Sequence, residues 1–154
     1  MSIRAATRAD LEALAKLRAE LVEETFHRPY RPWTWAERRP QFERAIDDGL
    51  LFVAEDERGL DGFVVGSLVR PDLASLEFLH VRSGARSRGV GAMLVAELTA
   101  ALARRGAAYV LVDVDSRNAD ARAVYERWGF AECSVTLLAA IPLLRARLGG
   151  AHAR

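Results

Sequence analysis

The chain has 154 residues, 51% of them apolar and 28% charged, and a net charge of +1. That size and mix predict a single soluble domain, 1–154, with a substantial core, and the balanced charge excludes a nucleic-acid footprint read from charge alone. The longest apolar runs, Val90–Ala96 and Val135–Leu144 broken by Pro142, are too short for a bilayer span, and the lone Cys133 excludes an internal disulfide or a multi-cysteine metal site.

Charged residues appear by position 4 with no apolar signal core, which predicts a cytoplasmic protein. Ile3–Ala6 reads as a short strand. Thr7 with Asp10 three residues on forms a capping-box pattern, and Leu11, Leu14, Leu17 and Leu21 follow at helical spacing, predicting a helix near 8–24. The stretch 26–35 holds Pro29 and Pro32, which oppose helix, and Phe26, Tyr30, Trp33 and Trp35, whose apolar area seeks burial or a ligand. Tyr30 and Trp33 are candidate substrate contacts, with His27 a lesser one; packing on the domain and docking a partner stay open. A second helix is expected over 37–48, capped by Thr34, with Pro40 in its first turn.

Leu50–Glu55 and Leu60–Arg70, joined by Asp56-Glu57-Arg58-Gly59, predict an antiparallel hairpin. The apolar run from Leu76 predicts a central strand. A helix with Leu94, Leu98, Ala101 and Leu102 on one face comes next, then a strand over Ala107–Asp115 parallel to the central one through a right-handed crossover. A further helix begins at Asn118 or Ala119 and ends at Gly129. A last strand is expected over 133–140 with Cys133 as a small buried apolar side chain, and a frayed or weakly helical tail over 142–154.

Between the central strand and its helix lies Arg86-Ser87-Arg88-Gly89-Val90-Gly91. A glycine-bearing turn into a helix leaves backbone N–H groups unpaired at the positive helix end, which suits a phosphate or pyrophosphate. The NTPase phosphate loop requires Gly-Lys-Ser/Thr, which is absent, and the dinucleotide fingerprint requires a glycine where Leu94 stands. What remains, Arg-x-x-Gly-x-Gly between strand and helix, resembles the acyl-CoA pyrophosphate loop of the GNAT superfamily of N-acetyltransferases. Asn118-x-x-Ala121-x-x-x-Tyr125 followed by Gly129-Phe130 is similar to a second motif of that family, and Gly62 and Gly66 in the preceding hairpin fit its pattern. The resemblance runs from about residue 2 to 140.

The resemblance implies an α/β fold: a twisted mixed sheet of six to seven strands flanked by about four helices. It implies an acetyl-CoA-dependent N-acetyltransferase that moves acetyl to a primary amine by direct attack in a ternary complex, with no metal. Main-chain groups of Arg86, Ser87, Arg88, Gly89, Val90, Gly91 and Ala92 would bind the pyrophosphate. Leu79 and Val81 would pair with the pantetheine where a bulge splays the central strand from its neighbour, Asn118 would hydrogen-bond the same arm, and Tyr125 would stand near the thioester sulfur. Glu77 is the candidate general base; period-two alternation puts it on the side of Leu79 and Val81, with His80 opposite as a packed histidine. Asp113 and Asp115, expected on one face of the neighbouring strand, are candidates to attract a cationic acceptor or to pair with arginine. The acceptor is a small-molecule or peptide amine, with no nucleic-acid or membrane partner; a homodimer stays open. Two other readings remain: a non-catalytic acyl-CoA-binding or regulatory module, and an interaction protein docking through 26–35.

Overall fold

The structure, a computed structural model, describes residues 1–152. Its sheet has five strands among the described residues, in spatial order β1 (Ser2–Ala5), β2 (Leu51–Asp56), β3 (Gly59–Arg70), β4 (Leu73–Val81) and β5 (Tyr109–Val112). The first four pair antiparallel in succession, and β5 joins β4 in parallel. The β2–β3 turn forms as expected, with Asp56 accepting the Arg58 N–H at 2.7 Å and Gly59 at φ 128°. The crossover from β4 to β5 runs through α3 (Val90–Arg104).

Two capping boxes set the helix starts. The Asp10 carboxylate accepts the Thr7 N–H at 2.8 Å and closes a 3-10 turn, Arg8–Asp10, that leads into α1 (Leu11–Thr25). Thr34 accepts the Glu37 N–H at 3.2 Å and starts α2 (Trp35–Asp47). Because α2 begins at Trp35, Pro40 lies beyond the first turn where it was expected; it sits inside the helix on an exposed face and removes one intrahelical donor.

α1 and α2 cover one sheet face. Leu14, Leu17, Phe42, Phe63 and Val65 are buried there, and Phe42 stacks on Phe78 with ring centres 5.5 Å apart. Full burial of each such side chain is worth about 1.5–3 kcal/mol. α3 covers the other face through Leu94 and Leu98. It can approach at Leu98 because Gly66 carries no Cβ; one there would stand 2.6 Å from Leu98 Cδ1.

Residues Met1–Asn118 form one compact unit, and the residues from Ala119 onward form a second. In the second, α4 (Ala119–Arg127) ends as its glycine predicts. Gly129 has φ 102°, its N–H donates to Glu126 O at 3.1 Å, and the Phe130 N–H donates to Tyr125 O at 3.0 Å.

Three expectations change. Residues 133–140 are not a strand: they have no ladder partner among the described residues, Val135 and Leu137 are exposed, and apolar β-branched residues do not make a strand without a surface to pair on. Among the described residues the sheet therefore has five strands in place of six to seven, and Cys133 is exposed where a buried side chain was expected. The following segment is helical, α5 (Ile141–His152), with Pro142 in its first turn; positions 153 and 154 of the expected tail lie outside the described residues.

Candidate active site

The middle of β4 is where the sheet opens. Val65 pairs with Phe78 but Gly66 pairs with Leu76, so Glu77 is an extra residue, a β-bulge. The parallel ladder to β5 covers Leu73 to Leu76 and stops there. On the other side, the Arg82 N–H donates to Asp61 O at 2.7 Å, which fixes 61 and 82 as a hydrogen-bonded pair. Antiparallel alternation then aims the main-chain groups of Phe78 and His80 at β3, and those of Leu79 and Val81 at the edge β5 has left. The extra residue is the bulge that the sequence could not display.

The bulge also moves Glu77. Gly66 faces α3, so Ser67 faces the α1–α2 side, and the Ser67 hydroxyl donates to Glu77 Oε1 at 2.6 Å. The carboxylate is thus drawn to the α1–α2 face, whereas Leu79 and Val81, opposite Val64 and Gly62, belong to the α3 face. The expected shared side is corrected, because an inserted residue resets the alternation. His80 is 3% exposed, with Nε2 3.3 Å from Glu20 Oε2, the packed histidine expected.

Beyond β4, a short 3-10 turn, Ser83–Ala85, leads to the glycine loop. Ser87 adopts φ 65° and Gly89 φ 76°, and Gly89 is the N-cap of α3. A Cβ on Gly89 would meet nothing within 4 Å, so the left-handed backbone, not crowding, favours glycine there. The Met93 N–H donates to Gly89 O at 3.0 Å as the first helical bond, so the N–H groups of Val90, Gly91 and Ala92 have no intrahelical acceptor. No side chain caps this end and no acidic residue lies in its first turn. Arg88 is exposed. Arg86 is turned elsewhere: its Nε donates to Val81 O at 2.9 Å and its Nη2 pairs with Glu24, tying the loop to β4 and α1.

The second-half candidates separate. β5 ends at Val112, so Asp113 and Asp115 lie in the loop after it, not on a strand face; a strand continues only while a partner does. Asp115 accepts the Arg117 N–H at 2.9 Å and sits 3.4 Å from Arg28. That backbone bond first, then Arg28, Arg117 and His27, hold its carboxyl below the usual range. Asp113 is exposed. The Asn118 N–H donates to Asp115 O at 2.9 Å. On α4, the Tyr125 ring meets Trp128 and Phe130 edge-on, at 5.9 and 5.4 Å, and burial pushes its phenol above the ordinary value. Tyr30 and Trp33 are each about half exposed, at 51% and 54%. Tyr30 meets Phe26 edge-on, and the Arg38 guanidinium lies 4.9 Å from the Trp33 ring centre.

The family described as acetyltransferase (GNAT) matches residues 16–130. The chain belongs to the GNAT family. A mycothiol acetyltransferase from Beutenbergia cavernae is 37% identical over 101 residues, which cover 63% of this chain and 33% of the relative. The chain therefore spans about a third of that relative's length. A ribosomal-protein-alanine N-acetyltransferase from Brucella melitensis is 30% identical with TM-score 0.72, covering 87% of this chain and 86% of that one. A PaiA N-acetyltransferase from Thermoplasma acidophilum, in complex with coenzyme A, has TM-score 0.77 at 19% identity, over 88% of this chain and 92% of its own, and is a likeness of fold.

Within this GNAT chain, sequence reasoning missed Ser67, the hydrogen-bond partner of Glu77, and two arginines, Arg18 and Arg38. Ser67 carries no motif. Arg18 did carry a signal: four residues after Leu14 and seven after Leu11, it falls on the apolar stripe of α1. No group of metal-ligating side chains is present among the described residues, and no described helix is long and apolar enough to cross a membrane.

Proposed function

We propose that the chain transfers an acetyl group from acetyl-CoA to a primary amine. The observation that carries this reading is the release of β4 from β5 after Leu76, beside a helix start whose Val90, Gly91 and Ala92 N–H groups have no intrahelical acceptor. A diphosphate fits those donors and the positive end of α3. The edge at Leu79 and Val81 offers strand-like hydrogen bonds to the pantetheine amides. Arg86 acts by holding the loop in place, leaving charge contact with phosphate to the exposed Arg88. Asn118 is assigned to the pantetheine arm by its motif.

The chemistry needs a free amine. An alkyl ammonium of pKa ~10.4 costs about 4–5 kcal/mol to deprotonate at neutral pH. Glu77 accepts that proton through water, and the Ser67 hydroxyl fixes its carboxylate for the task. The amine nitrogen attacks the thioester carbonyl, whose oxygen takes negative charge that a β4 N–H stabilises. The C–S bond then breaks, the thiolate takes the phenolic proton of Tyr125, and the surplus proton on the attacking nitrogen is lost to the phenolate, which leaves a neutral amide. Burial raises the Tyr125 phenol, so it stays protonated at neutral pH. Its assignment rests on the Asn118–Phe130 motif. The single-domain reading of 1–154, the cytoplasmic location and an acceptor contact for Tyr30, Trp33 or Asp113 belong to the same proposal.

The test is a panel of primary amines with acetyl-CoA, following release of the free CoA thiol, on the protein and on Glu77→Gln. Turnover is expected on at least one amine. In the variant kcat/KM should fall by about 10²-fold or more near neutral pH and recover as pH approaches the amine pKa of ~10. Protein that gives no calorimetric response to acetyl-CoA or CoA would refute the reading.

A further inference from the structure

Arg18 in α1 is 7% exposed, and its Nε is buried with no hydrogen-bond acceptor. Its Nη2 donates to the Trp33 carbonyl at 2.5 Å. Arg38 in α2 donates from Nη1 to Gln41 Oε1 at 3.1 Å, and its Nε is likewise buried without an acceptor. Its guanidinium carbon lies 4.9 Å from the Trp33 ring centre and 5.6 Å from that of Phe78. The two cations act on one another: burial first, and then Arg38, hold the Arg18 guanidinium below its ordinary value.

A buried guanidinium is costly unless it is paired, and two of them together add repulsion. Four other arginines in the first third of the chain have carboxylates: Arg4 with Asp10, Arg8 with Asp47, Arg31 with Glu37 and Arg39 with Glu43. Among the described residues, Arg18 and Arg38 have none. Glu37 attracts Arg18, but its Oε1 is engaged by Arg31 and Thr34, and it makes its ion pair with Arg31. Phe78, under Arg38, directly follows Glu77, so the pair stands next to the bulge on the face to which Ser67 draws the Glu77 carboxylate.

We propose that the acceptor is a small amino acid whose amine meets Glu77 and whose carboxylate is received by Arg18 and Arg38. This rests on the transferase reading above and names its substrate class. A carboxylate suits a guanidinium fork, takes charge-assisted bonds from it, and cancels the mutual repulsion of the pair. It replaces the cationic acceptor for which Asp113 and Asp115 were candidates: Asp115 is engaged by Arg28, and the unpaired charge near Glu77 is positive.

The experiment compares matched amines with acetyl-CoA: free amino acids, their carboxamides, and diamines of similar length. The acids should be preferred over both other classes in kcat/KM by about tenfold or more. In Arg38→Met that preference should fall toward one through a rise in KM for the acid, and Arg38→Lys should keep part of it. Arg38 is half-buried, so this variant bypasses any folding defect of Arg18→Met. Carboxamides or diamines used as well as the acids, or no turnover of any acid by protein that binds acetyl-CoA, would overturn the proposal. Calorimetric titration with acid and amide, without acetyl-CoA, reads the arginine pair separately: equal binding of the two forms also overturns it, whatever the fate of the transferase reading.

Discussion

Gly66→Ala tests how α3, and with it the glycine loop, is seated on the sheet. The added Cβ would lie 2.6 Å from Leu98 Cδ1, 3.0 Å from Cδ2 and 3.2 Å from Cγ. Leu98 is 0% exposed, so it cannot swing into solvent. Overpacking of this kind costs about 1–3 kcal/mol. Leu98→Ala alone should cost about 2–5 kcal/mol through lost burial and the cavity left behind. In the double variant the new methyl takes part of the vacated space, so the total should fall short of the sum by about 1 kcal/mol or more. Gly62 is the control. Its Cβ would stand 2.7 Å from the backbone oxygen of His80, with Leu94 Cδ1 at 3.4 Å, so trimming Leu94 cannot relieve the clash. Gly62→Ala with Leu94→Ala should add within about 0.5 kcal/mol. Urea unfolding followed by circular dichroism measures all six variants, provided the slope is unchanged. A Gly66→Ala midpoint equal to the parent's, or additive costs with Leu98→Ala, would refute the packing argument.

Two further outcomes are expected. Tyr125→Phe should lower kcat by about 10²–10⁴-fold while calorimetric affinity for acetyl-CoA is retained; undiminished turnover would remove the acid role. Asp10 is held below its ordinary pKa chiefly by its hydrogen bonds from Arg4, with the Thr7 N–H adding, so its contribution is present above the unfolded value near ~4 and is lost as pH falls through the lowered folded value. Asp10→Asn should therefore cost about 1–2 kcal/mol at pH 7 and flatten the acid limb of a thermal-stability profile. An unchanged acid limb would show that Asp10 does not contribute to it.

Much of the fold was written locally. The capping boxes at Thr7 and Thr34, the glycine at the start of α3 and the helix stop at Gly129 each act within a few residues, and each formed. Features that depend on a distant partner were hidden. Residues 133–140 have strand-forming side chains but no ladder to join. Glu77 is a bulge only because β3 pairs on both sides of it, and no pattern within β4 says which residue is extra. The candidate site divides in the same way. The loop donors follow from glycine spacing, whereas the turn of Arg86 toward Val81 and Glu24, and the meeting of Arg18 with Arg38, need the helices in place.

The extra residue in β4 gives that strand a fixed length as well as a composition. Delete Glu77, and Leu76 opposite Gly66 would run directly into Phe78 opposite Val65, an unbroken alternation with no residue left over. One strand thereby serves two frames, an earlier one locked between neighbours and a later one with a free flank. Away from the bulge, variation along it should accordingly take the form of exchanges between side chains, with insertions and deletions confined to position 77 and the turns at either end.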